Sequence, residues 1–105
     1  MNITTSFQSG RLTIYLAGEL DHHSARQVML SIDELLDDYL PRDCALELSE
    51  LSFMDSSGIA IIARLSRRMT DAGGRIWIEN PARQPRRVID TSGIDRLVPV
   101  AVTKL

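Results

Sequence analysis

The sequence predicts an α/β fold in which a mainly parallel central sheet of four to five strands carries three helices, all within one compact domain spanning residues 1–105. Three observations predict it. Short runs rich in β-forming residues alternate with longer segments whose apolar residues recur every three or four positions. Helix stops fall at the ends of two of those segments, at Pro41 and at Gly73-Gly74. Strands alternating with helices are joined by right-handed crossovers, which lay the strands parallel.

Each element has its own reason. Leu12-Thr13-Ile14-Tyr15-Leu16-Ala17 places Leu12, Ile14 and Leu16 on one face and reads as a strand. Ile3 to Phe7 pairs with it across Gln8-Ser9-Gly10. From His22 to Leu40, Ala25, Val28, Met29, Ile32, Leu35, Leu36 and Tyr39 form one stripe against Arg26, Asp33, Glu34 and Asp37, an amphipathic helix capped by Asp21. Cys44 to Leu48 reads as a buried strand, and Leu51 and Phe53 carry apolar character on to Asp55-Ser56-Ser57-Gly58. A second helix follows, with Ile61, Ile62, Leu65, Met69 and Ala72 inward and Arg64, Arg67, Arg68 and Asp71 outward. Arg75 to Glu79 is a strand whose Trp77, out of phase with Ile76 and Ile78, is expected beneath a helix on the other sheet face. Arg83 to Thr91 is a short helix closed near Gly93, and Val98 to Val102 a last strand that Pro99 marks as an edge.

Composition removes several function classes. A net charge of −2 and a pI near 5.6 provide no broad positive field for nucleic acid or an anionic membrane, and leave a local basic cluster at Arg83, Arg86 and Arg87. Those arginines read as a solvated helix face. Cys44 is the only cysteine, so no intrachain disulfide or cysteine metal cluster can form, which fits a reducing cytoplasm. No run approaches the roughly 20 apolar residues of a membrane helix, and Met1 to Ser6 has no signal-peptide character. No glycine-rich phosphate loop occurs, so no cofactor is expected.

The informative segment is Met54-Asp55-Ser56-Ser57-Gly58, placed where a strand ends and a helix begins. Polar side chains there project from the carboxyl edge of the sheet, where open α/β sheets place their ligands. Local physics leaves two readings open: Asp55, Ser56 or Ser57 simply caps the helix, or the group carries chemistry. A serine-nucleophile reading would use His22 or His23 as base and Asp21 to orient it, but Met54 stands where a nucleophile elbow needs glycine. A metal reading of His22-His23 lacks a third ligand, and side chains one apart on a helix diverge.

Three blocks carry a resemblance: Gly18-Glu19-Leu20-Asp21-His22-His23, Leu51-Ser52-Phe53-Met54-Asp55-Ser56-Ser57-Gly58 and Asp90-Thr91-Ser92-Gly93-Ile94. In this order, over nearly the whole chain, they resemble the STAS domain of bacterial anti-sigma factor antagonists, the anti-anti-sigma factors of partner-switching systems. The resemblance implies a non-enzymatic binding protein with Ser56 as phosphoacceptor and Ser57 as its unmodified neighbour. It implies a contact surface of Asp21, Asp55, Ser56, Ser57 and Gly58, with Asp21 linked to kinase recognition. The implied partners are an anti-sigma factor that is itself a serine kinase, and a serine phosphatase. Two other outputs stay open: an accessory subunit of a membrane transporter, and a partner switch controlling biofilm, motility or secretion. The longer members carry a terminal helix where this sequence has Lys104-Leu105.

Overall fold

A computed structural model describes residues 1–103; the expectation for Lys104-Leu105 lies outside the described residues. The elements are β1 (Asn2–Gln8), β2 (Arg11–Leu20), α1 (Ala25–Tyr39), β3 (Asp43–Glu47), β4 (Leu51–Met54), α2 (Ser56–Asp71), β5 (Arg75–Glu79), α3 (Arg83–Ser92) and β6 (Val100–Ala101), with a 3₁₀ turn at Ile94–Arg96. The strands run in the order β1-β2-β3-β5-β6, with β4 on β2, so the sheet has six. Only β1 is antiparallel to its neighbour.

The sixth strand is β4, which the sequence presented only as apolar residues carried onward. It pairs with β2 at Gly18–Leu20, above the stretch Arg11–Tyr15 that β3 occupies. Gly18 makes this hand-over possible: its φ of 111° belongs to glycine's range, and the register shifts beside it. Ser52 Oγ donates to the Gly18 carbonyl at 2.9 Å, holding the irregular joint.

One hydrophobic core joins Leu12, Ile14 and Leu16 of β2 and Leu46 of β3 to Val28, Ile32 and Leu36 of α1 and to Ile61, Ile62 and Leu65 of α2. The alternation of β2 and the helical stripes therefore meet on one side of the sheet. Trp77 lies on the opposite side and is half-buried among polar groups instead of under a helix. Arg11 sits 4.9 Å over its ring and its Nε1–H donates to Glu79 at 2.8 Å. An indole can be covered by a guanidinium stem as well as by a helix, and periodicity does not distinguish the two.

One helix boundary and one helix face also differ. The first helix begins at Ala25; His22 and His23 occupy the preceding turn with ring centroids 4.0 Å apart, so they do not diverge as helical neighbours would. Asp33, assigned to the solvent face of α1, instead meets Arg64 at 2.8 Å and Arg68 at 3.3 Å across the α1–α2 seam. The end of α2 follows the expectation: Gly73 at φ 77° donates to the Thr70 carbonyl and Gly74 to that of Met69, a Schellman closure. The last strand shrinks to Val100–Ala101 at the edge of the sheet.

Candidate functional site

The site grows from two neighbouring strand ends. Leu20 of β2 is in register with Met54 of β4, and the strands are parallel, so Asp21 and Asp55 leave the same carboxyl edge side by side. Asp55 N–H donates to the Leu20 carbonyl at 3.2 Å, extending the ladder one step.

Asp55 then ties both turns together. Its Oδ1 accepts from Ser57 N–H at 2.8 Å, which caps α2, and its Oδ2 accepts from His22 N–H at 3.2 Å. The His22 Nδ1 stands 3.9 Å from Oδ2. Asp21 organises its own turn, its Oδ1 accepting from His23 N–H at 2.9 Å and Ser24 N–H at 3.1 Å. The Ser24 N–H in particular holds the Asp21 carboxyl below its ordinary range. Asp21 thus caps the turn before α1 rather than the helix, whose N-cap residue is Ser24.

Ser56 is the first residue of α2 and is exposed, while Ser57 is half-buried behind it. The capping and chemical readings therefore divide between residues: Asp55 performs the cap, and the Ser56 hydroxyl makes no hydrogen bond among the described residues. No hydrogen bond joins Ser56 to His22 or His23 there either: His22 turns to Asp55, and His23 N–H to Asp21.

Gly58 is buried and serves the site through space. A Cβ there would overlap the Met54 side chain and come within 3.2 Å of Leu20 Cδ2, so only glycine lets α2 approach the β2–β4 ends this closely. Gln84, which sequence reasoning passed over, clamps the other side of β4: Met54 N–H donates to its Oε1 at 2.8 Å and its Nε2 donates to the Met54 carbonyl at 3.0 Å. Nothing in the run Arg83-Gln84-Pro85 signals that bond, because it depends on how α3 docks. Beside Ser56 opens a groove of about 430 Å³ lined by Ile59, Arg87, Val88, Thr91 and Ser92. Arg87 faces this groove and Arg86 pairs with Asp90 at 3.4 Å.

A family model described as the STAS domain matches residues 2–104. The chain belongs to the STAS domain family. The anti-sigma F factor antagonist of Paenibacillus polymyxa is 30% identical over 100 residues, which cover 95% of this chain and 86% of that protein. Among solved structures, the anti-sigma factor antagonist SpoIIAA in its unphosphorylated form is 27% identical, with a TM-score of 0.81 over 97% of this STAS chain and 90% of its own. The Bacillus cell fate determinant SpoIIAA in the phosphorylated form gives 27% and 0.72 over 97% and 93%.

Proposed function

We propose that this STAS protein is an anti-sigma factor antagonist that binds a kinase-type anti-sigma factor while Ser56 is unmodified and leaves it when Ser56 carries phosphate. The observation that carries this reading is the Ser56 hydroxyl, exposed and without a hydrogen bond among the described residues, at the first position of α2 beside the Asp55 carboxylate. The names of its relatives, and the existence of SpoIIAA in both phosphorylation states, support it. The protein acts in the cytoplasm as a binding module without catalysis of its own; no described helix is long and apolar enough to cross a membrane. A separate phosphatase restores the binding form.

Phosphate adds about −1.5 to −2 charges at pH 7, and the positive end of α2 favours that charge by ~0.3 to 1 kcal/mol, so the fold tolerates it. In a closed interface the same dianion is desolvated and repelled by Asp55. A penalty of ~3 to 4 kcal/mol weakens binding by a few hundredfold, enough for a switch without refolding. Asp21, Asp55, Ser57 and Gly58 shape the contact surface around Ser56, and Asp21 presents the turn that the kinase reads. Affinity of Ser56→Ala and Ser56→Asp for the cognate anti-sigma factor, measured by calorimetry, tests the proposal. Ser56→Ala is expected to bind as tightly as the unmodified protein and Ser56→Asp at least about tenfold more weakly; equal affinities overturn it.

A further inference from the structure

The sheet ends on one side at β1, which is paired only with β2. The hairpin between them fixes which backbone groups face outward. Ser9 at φ 53° and Gly10 at φ 81° form a two-residue turn of the I′ type, so Gln8 and Arg11 exchange both ladder bonds. Alternate pairs, Ser6–Thr13, Thr4–Tyr15 and Asn2–Ala17, then do the same. The far side of β2 agrees, because the Gly10 carbonyl accepts from Arg42 and Asp43 on the β3 side. The N–H and C=O groups of Ile3, Thr5 and Phe7 therefore point away from the sheet, without a partner among the described residues.

Exposed edges are normally protected by a charge, a proline or a bulge. Asn2-Ile3-Thr4-Thr5-Ser6-Phe7-Gln8 has none, and its register with β2 is uninterrupted. The strand is also complementary to itself. Two copies meeting antiparallel about an axis through Thr5 place Thr5 opposite Thr5 and Ile3 opposite Phe7 twice, with about six main-chain hydrogen bonds. Ile3 and Phe7 lie on the helix face, across from Leu16 and Leu12. Phe7 is 44% exposed although its ring stacks 4.9 Å from Tyr39, and the other copy's Ile3 would cover it. No charged side chain on the strand opposes the pairing.

We propose that β1 is a self-association edge through which two copies of this chain form one continuous sheet, at the end of the strand order and independently of the Ser56 switch. The contact is smaller than a standard interface, so the dimer is weak, with Kd on the order of 10 μM. Sedimentation equilibrium of the full chain from about 1 μM to 1 mM tests it. Proline at Thr5 removes an outward N–H and none of the β1–β2 ladder bonds, so Thr5→Pro should keep the fold and lose the dimer. Thr5→Lys sets two like charges on the axis and provides a second test should the proline variant unfold. The wild type is expected to pass from one chain to two across the range, with Kd at least about tenfold weaker in both variants. A wild type that remains one chain at the highest concentration, or a dimer that persists undiminished in folded variants, overturns the proposal.

Discussion

Among single residues, Gly58 has little freedom, because a methyl group there falls within the volume of a Met54 side chain that is itself buried. Gly58→Ala should destabilise the protein by about 1–3 kcal/mol, the usual cost of overpacking, and denaturant unfolding would measure it. An unchanged midpoint would mean that Met54 swings aside freely. Asp55 and Ser56 divide their work by exposure: the carboxylate is spent on the Ser57 and His22 N–H groups, leaving the hydroxyl free. This division could not be read from Asp-Ser-Ser-Gly alone, since any of its first three residues can cap a helix. The glycine was legible as part of a family pattern, but its steric reason required the β2–β4 register.

At the scale of elements, β4 is braced by β2 on one side and by one glutamine of α3 on the other. Gln84→Ala leaves the Met54 N–H and C=O without that amide, so a loss of about 1–3 kcal/mol and faster hydrogen exchange at Met54 are expected. The α1–α2 seam carries a pH dependence. The Arg64 hydrogen bond is the main reason the Asp33 carboxyl lies below its ordinary value of 3.8, with Arg68 adding to it. A lowered folded pKa makes this contribution complete above that value and removes it as pH falls through the folded pKa. The unfolding midpoint of Asp33→Asn should accordingly lie below that of the wild type near pH 6, and the gap should close below about pH 4. The strongly periodic helices were legible in the sequence because their stripes are long. The short β4 was not, since Ser52 and Phe53 are both exposed and break any alternation. Asp33 was misplaced for a related reason: helical spacing gives an angle around α1 but does not say where α2 will lie.

For the whole molecule, the single core that joins the strands to the helices gives a built-in reporter. Cys44 lies fully buried in it, and burial pushes its thiol pKa up to about 12. Thiol reagents at pH 8 should therefore label Cys44 only through opening of the core, at a rate that rises with denaturant; rapid labelling of native protein would contradict the packing described here. A core closed in this way also explains why the proposed switch needs no refolding: charge arrives on an exposed hydroxyl at the rim, and what changes is the surface a partner meets. The most direct measurement is intact-mass spectrometry of the protein from its native host, with and without phosphatase, followed by fragmentation across residues 51–64. One phosphatase-sensitive phosphate is expected on Ser56 and none on Ser57. A chain without phosphate under every growth condition, or one modified at Ser57 alone, would contradict it.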